Sequence, residues 1–322
     1  MHQVVTETAP IDDLDVLVQR DAIVTALVRL GHQIQVLPIS LNLETARQQL
    51  FEQAPALVFN LVESLGGTDR LVGLAILMLE ALQIPFTGAD SFSTLVTANK
   101  LLAKERLREL GLPTPDWLTL QPGDNESKAK EIRTADWIIK PTLEHASFGI
   151  VDQSVVSAQH AGDLRQECAR RTQASGRPHF AEAYIDGREF NLSLLNRQVL
   201  PPAEIEFVGF PAGKPKIVGR SAKWDVDSFE YNQTPRRFEF PDADEPLLEE
   251  LAALAVGCWD GFGLRGYARV DFRIDRQGRP LILEINTNPC LSPDAGFAAA
   301  VAEAGWTFDV AIQRIVAAAL PG

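Results

Sequence analysis

Near the C-terminal end, the segment Gly266-Tyr267-Ala268-Arg269-Val270-Asp271-Phe272-Arg273-Ile274-Asp275-Arg276-Gln277-Gly278-Arg279-Pro280-Leu281-Ile282-Leu283-Glu284-Ile285-Asn286 places charged side chains at alternate positions in an apolar background. Two runs of strand-forming residues flank an Asp-Arg-Gln-Gly turn, which is a hairpin signal. With the turn centred between Gln277 and Gly278, Asp271 falls opposite Glu284 and Arg269 opposite Asn286. Alternation then sets these four on one face and Val270, Leu283 and Ile285 on the other. Carboxylates directly opposite each other repel unless a cation lies between them. Hard oxygen donors of this kind suit magnesium completed by phosphate oxygens and water, and a neighbouring arginine can clamp a phosphoryl group through two nitrogens. The alternative is a solvated hairpin face with interleaved charges.

Other residues could serve phosphates. Trp137-Ile138-Ile139-Lys140-Pro141 ends a strand with a lysine. The stretch 142–149 after it is rich in small residues, and its backbone N–H groups and the Ser147 hydroxyl could wrap phosphates while Lys140 supplies a point charge. A plain β-turn reads the same way. Lys100 and Lys104 share a helix face, a pattern equally at home in water. Glu182 and Tyr184-Ile185 could frame a purine base and Glu189 could accept ribose hydroxyls, or the segment is an ordinary hairpin.

These residues need a scaffold, and the 322-residue chain has enough apolar residues (46%) for two or three lobes. Residues 1–90 alternate helix and strand: a helix capped by Asp12 and Asp13 and running to Leu30, a strand at Ile34–Ile39, a helix at Leu43–Gln53, a buried strand at Leu57–Val62 and an apolar helix at 70–82. This is an α/β lobe with a parallel sheet. A charged helix from Ala98 to Leu110 is broken by Leu112-Pro113-Thr114-Pro115. Strands are expected at 137–140, 149–156, 179–185, 188–195, 265–275 and 280–287, with helices at 162–174, 244–260 and 307–319. Residues 208–240 show little periodicity and read as a lid. The divisions are 1–90, 91–180 and 181–322.

The formal charge of −13 argues against nucleic acid as a partner, although one basic pocket could still hold a nucleotide. Three scattered cysteines read as reduced thiols. The N-terminus carries no signal-peptide pattern, and the longest apolar run, Leu71–Leu79, is too short to span a bilayer, so a cytoplasmic protein is expected.

Taken in order, these pieces resemble the ATP-grasp superfamily, in its D-alanine–D-alanine ligase branch. The resemblance rests on Pro85-Phe86-Thr87-Gly88, Gly111-Leu112-Pro113-Thr114-Pro115, Ile139-Lys140-Pro141, Glu182 through Phe190, Ala222-Lys223-Trp224, Arg269-Val270-Asp271-Phe272 and Leu283-Glu284-Ile285-Asn286-Thr287. It implies an ATP-grasp fold in which two lobes sandwich ATP behind an N-terminal lobe. It implies that Lys100 and Lys140 contact phosphates and that Glu182, Tyr184, Ile185 and Glu189, with Leu283, hold the nucleoside. Lys223 on the mobile loop would lie near the γ-phosphate, with Ser147 in the phosphate loop. Asp271, Glu284 and Asn286 would bind two magnesium ions, or manganese, and Arg269 would stabilise the transferring phosphoryl group. The implied reaction makes an acylphosphate from a carboxylate and then an amide with an amine, both from amino acids. Such relatives are often dimers.

The amino-acid half departs from that pattern. Glu63 stands where the family has histidine, Thr68 where it has glutamate and Trp224 where it has tyrosine. Cys290 replaces a glycine, and Asp294-Ala295 falls where a serine would take the second substrate's carboxylate. The substrate-gripping glutamate is missing, with Asp13 or Asp15 as its nearest stand-in. Asp13, Glu63 and Asp294 are therefore the expected substrate residues, and Glu63 and Asp294 favour a positively charged group, such as an amine or a basic side chain, over D-alanine itself. D-alanine–D-alanine ligation, a nucleotide-binding regulator without turnover and a carboxylate kinase are the competing expectations.

Overall fold

The computed structural model describes residues 1–5, 11–120, 136–144 and 149–320, and the side chains of 11–13 stand outside that description. Helix α1 (Ile11–Arg29) stops before Gly31, whose φ of +86° suits a residue without Cβ. Its buried stripe, Val16, Ile23, Ala26 and Leu27, packs into one core with Phe297, Ile312 and Ile315 from the far end of the chain. Strands β1 (His2–Gln3) and β2 (Pro38–Ile39) pair in parallel. The strand expected over Ile34–Ile39 is thus cut to its last two residues: Val36 is exposed, and Pro38 has no N–H to donate to a ladder. The Leu57–Val62 run lies extended beside this pair, bonded through Leu61 N–H to Met1 O and Val58 N–H to Pro85 O, but makes only one bridge, Val58 with Phe86. Helices α2 (Leu43–Gln53) and α3 (Val72–Ala81) flank it.

The helix expected from Ala98 to Leu110 is two helices. α4 (Ser91–Ala98) and α5 (Lys100–Glu109) meet at Asn99, whose ψ of 103° interrupts the spiral. The Asn99 side chain then accepts from Leu101 and Leu102 N–H, capping α5. Residues 112–115 follow in extended form.

A four-stranded antiparallel sheet comes next, in the order β3 (Trp117–Leu118), β6 (His179–Ala183), β4 (Asp136–Pro141), β5 (Val155–Ser157), with α6 (Ala161–Ser175) packed on it. Only Val155–Ser157 of the stretch expected as strand over 149–156 joins this sheet. Sheet membership changes across Tyr184–Arg188. β7 (Glu189–Leu195) begins the second sheet, ordered β10 (Arg236–Arg237), β9 (Ala203–Ile205), β7, β11 (Tyr267–Ile274), β12 (Pro280–Asn286), with β8 (Gln198–Val199) on β7. Its back carries Phe190, Leu192, Val270, Phe272, Ile282 and Ile285 against Leu251, Ala255 and Cys258 of α9 (Glu245–Gly261) and Leu107 of α5. Phe272 is fully buried there, and cutting it to alanine costs about 3–5 kcal/mol.

Residues 208–240 are more regular than expected. They hold two short helices, α7 (Arg220–Trp224) and α8 (Phe229–Asn232), besides β10. Lys214 pins this segment to Asp152 at 2.5 Å and braces it internally through Glu230 at 2.6 Å, and Phe210 meets Phe207 edge-on and Phe229 at a tilt. Helices α10 (Gly296–Glu303) and α11 (Phe308–Ala319) close the chain; α10 was not expected. Among the described residues no helix is long and apolar enough to cross a membrane.

Candidate active site

The front of the second sheet carries a polar lattice. β7, β11 and β12 lie side by side, so Glu189 faces Arg273, Asn191 faces Asp271, which faces Glu284, and Ser193 faces Arg269, which faces Asn286. The expected pairs Asp271/Glu284 and Arg269/Asn286 are present, but by a different route. Asp275 closes a turn whose positive-φ residue is Gly278 (+79°), so the pairs next to it, Ile274/Pro280 through Phe272/Ile282, are shifted by one residue. A bulge at Leu283 restores the register at Asp271. It also overturns strict alternation. Leu283 and Glu284 both line the cavity, while Ile282 and Ile285 are buried in the core.

The cavity has a volume of about 780 Å³ and lies between the two sheets, within the range of small-molecule sites. It brings together Lys100, Lys140, Glu182, Tyr184, Ile185 and Glu189 with Lys223, Arg269, Asp271, Leu283, Glu284 and Asn286, and reaches Glu63 and Asp294 at its other end. Ser147 and the Asp13 side chain lie outside the described residues. Asp15, the other stand-in for the missing glutamate, lines the cavity.

Most charges here have a partner. Asp271 receives Arg269 through two bonds, Nε at 2.7 Å and Nη2 at 2.8 Å, and Asn191 Nδ2 at 2.9 Å. Burial opposes the Arg269 charge, but Asp271 more than restores it and the guanidinium is held firmly protonated. Arg269 therefore clamps a neighbouring carboxylate here. Glu189 takes Arg273 Nη2 at 2.6 Å, and Arg273 also donates to Lys216 O at 2.5 Å. Tyr184 Oη accepts from Lys216 N–H at 2.8 Å, so two cavity residues grip the backbone of the 208–240 segment. Lys100 Nζ donates to Glu144 O at 2.5 Å and stands 4.0 Å from Glu284. Lys223 projects from α7, and burial followed by Arg269 lowers its pKa, with Glu284 and Asp271 opposing.

Glu182 sits between two lysines. Lys140 donates to Oε1, and Lys104 Nζ lies 2.7 Å from Oε2, an oxygen with no donor aligned on it. Lys104 is 2% exposed, so the solvated-face reading of the Lys100/Lys104 pair fails for it.

The opposite end is built differently. Asp15 Oδ1 accepts from Ser292 Oγ at 3.0 Å, and Oδ2 accepts from Cys290 Sγ at 3.0 Å and Gln19 Nε2 at 3.1 Å. The same Gln19 nitrogen donates to Glu63 Oε1 at 3.0 Å. Burial and then Asp15 push the Cys290 thiol pKa up, so it stays protonated. Asp294 is exposed at the rim, where its carbonyl accepts from Arg236 Nη1 at 3.1 Å.

Sequence reasoning missed Asn191, Arg273 and Gln19. The alternation Glu189-Phe190-Asn191-Leu192-Ser193 could have found Asn191, and the i, i+4 spacing from Asp15 could have found Gln19.

The family model for the D-ala D-ala ligase C-terminus matches residues 107–317. The D-alanine–D-alanine ligase of Moorella thermoacetica is 31% identical over 315 residues, covering 93% of this chain and 92% of that relative. The Synechococcus sp. (strain JA-2-3B'a(2-13)) ligase is 30% identical over 302 residues, 92% of this chain and 85% of the relative. The fold is similar to that of the Bacillus anthracis D-alanine–D-alanine ligase crystallised with ATP, with a TM-score of 0.73 at 21% identity over 99% of this chain and 95% of that one.

Proposed function

The chain belongs to the D-alanine–D-alanine ligase family and so is an ATP-dependent carboxylate–amine ligase; from that premise we propose how its residues divide the work and which substrate they select. The observation that carries the proposal is the lattice in which Asp271 faces Glu284 beside Arg269, Lys100 and Lys223, in one cavity. Those cations gather the charges that a triphosphate requires at one end of a cavity whose acids are at least as numerous as its bases.

Lys100, Lys140 and Lys223 neutralise the phosphate chain. Leu283, Tyr184 and Ile185 give the base an apolar wall, and Glu189 takes the ribose hydroxyls. The donor set of Asp271, Glu284 and Asn286 is all oxygen, which fits magnesium or manganese rather than zinc. Among the described residues no three His, Cys, Asp or Glu side chains converge, which suits an ion that completes its shell with phosphate and water. When bound, such ions offset charge on the β- and γ-phosphates. Arg269 exchanges Asp271 for the phosphoryl oxygens as these arrive, through the same two-nitrogen geometry.

A carboxylate oxygen of the first substrate attacks the γ-phosphorus and ADP departs, leaving an acylphosphate. A second substrate's deprotonated amine attacks the acyl carbon, and phosphate leaves as the amide forms. The chain's part is alignment and charge stabilisation, with 208–240 excluding water that would hydrolyse the acylphosphate. At the other end, Asp15 and Glu63 accept a positively charged group of the amino-acid substrate, with Asp294 at the rim.

The test is to incubate the protein with magnesium–ATP and pools of D- and L-amino acids, and to measure phosphate release and new amide masses. Stimulated phosphate release with an amide product, strongest for basic amino acids, is expected. ATP binding without stimulation by any amino acid would refute the substrate assignment.

A further inference from the structure

Of the two lysines on Glu182, only Lys140 lines the cavity. Lys104 reaches the same carboxylate from behind, out of α5, and is fixed there by donating to Thr114 Oγ1 at 2.8 Å and Pro115 O at 3.1 Å. Thr114 in turn donates to Ile282 O on β12, so the lysine sits where the 112–115 connector meets both sheets.

Glu182 is 1% exposed. A carboxylate this deep cannot stand without a counter-ion. If Lys140 is to neutralise phosphates, it must withdraw at least part of its charge from Glu182. With Lys104 in place, the carboxylate it leaves is still paired. Without Lys104, withdrawal would strand a buried anion, and Lys140 would stay where it is.

We propose that Lys104 is a positioning residue for the nucleotide: the resident counter-ion of Glu182, which releases Lys140 to the phosphates. This rests on the assignment of the cavity to ATP. The charged groups facing Lys104 are Glu182 from β6, Lys140 from β4 and Arg108 from its own helix, and the Trp117 ring of β3 lies 5.4 Å away. Burial lowers the Lys104 pKa to about 8, with Glu182 opposing and Lys140 and Arg108 adding to the fall. The ammonium is therefore present below that pH and is lost as pH rises through it. Nucleotide affinity should fall in the same direction.

The experiment is calorimetric titration of the full chain with magnesium–ADP and with a non-hydrolysable ATP analogue, without amino acids, from about pH 7 to about pH 9.5. Wild-type affinity should drop about tenfold across that range. Lys104→Arg, which stays charged throughout, should flatten the profile. Lys104→Met should bind about tenfold more weakly at every pH, with a thermal melt confirming that it folds. A flat wild-type profile overturns the proposal, as does Lys104→Met binding like wild type, or a Lys104→Arg profile with the wild-type midpoint. The flat wild-type profile overturns the proposal even if neither variant folds, and a fall that Lys104→Arg shares belongs to Lys223, whose pKa burial also lowers. Wild-type protein that binds no nucleotide at any pH overturns the ATP assignment itself.

Discussion

The two ends of the cavity handle charge in opposite ways. At the nucleotide end, acids and bases are matched within the fold: Asp271 with Arg269, Glu189 with Arg273, Glu182 with Lys104 and Lys140. At the other end Asp15 is held by an amide, a thiol and a hydroxyl. Neutral donors orient a carboxylate without cancelling its charge, while Arg236 stands beside Asp294 at the rim of that end. The matched end must exchange partners to bind, as Arg269 and Lys140 do in the mechanism above. One end is organised by internal pairing, which fits the polyanion proposed for it, and the other is organised by neutral donors around Asp15, where the proposal seats a cationic group.

Four substitutions probe that contrast. The largest effect is expected for Glu284→Gln, which halves the facing carboxylate pair: kcat should fall about a thousandfold, close to 4 kcal/mol of barrier, with the fold intact by circular dichroism. Unchanged turnover would remove Glu284 from the site. Glu189→Ala comes next, because it leaves Arg273, 4% exposed, without its carboxylate. Stability in urea should drop by about 3 kcal/mol, and nucleotide affinity should fall with it. A loss under about 1 kcal/mol would mean that the matched end is not organised by its pairs. Asp15→Asn should act on the other end alone, raising KM for the amino-acid substrate about tenfold while KM for ATP holds. Equal changes in both constants would erase the distinction between the ends. Smallest is Cys290→Ser, which keeps a donor for Asp15. Its kcat/KM should stay within about twofold, since the protonated thiol is read as a lining group; a large loss would give the sulfur a chemical task.

Much of the nucleotide end was legible because it is local. Arg269, Asp271, Glu284 and Asn286 sit on two strands joined by a short turn, and period-two alternation sorts them without knowledge of the rest of the chain. Even there, the facing pairs came out right because a longer turn and the bulge at Leu283 offset each other. Lys104 was not legible. Spacing puts it beside Lys100, but its burial depends on Thr114, Trp117 and Glu182, which only the tertiary fold brings near. That Asp15 reaches the cavity is a question of helix phase, set by the packing of α1 on the C-terminal helices. The N-terminal strands were overdrawn because Leu57–Val62 lies extended with few ladder bonds and Ile34–Ile39 is half exposed. Helix α10 escaped because its N-cap, Ala295, has no polar side chain to announce it.

The bulge has a further consequence for how the hairpin can be edited. Along an unbroken strand, every second residue speaks to the same environment, so neighbours cannot share a task. At Leu283 that reading frame slips once, and consecutive residues, one apolar and one a carboxylate, line the same cavity; in the proposed mechanism the first walls the base and the second would hold magnesium. Deleting Leu283 would leave Asp271 opposite Glu284 and remove only the wall. On the proposed roles, preference among bases and competence for phosphoryl transfer should be separable by a single residue, so that one could be retuned without rebuilding the other.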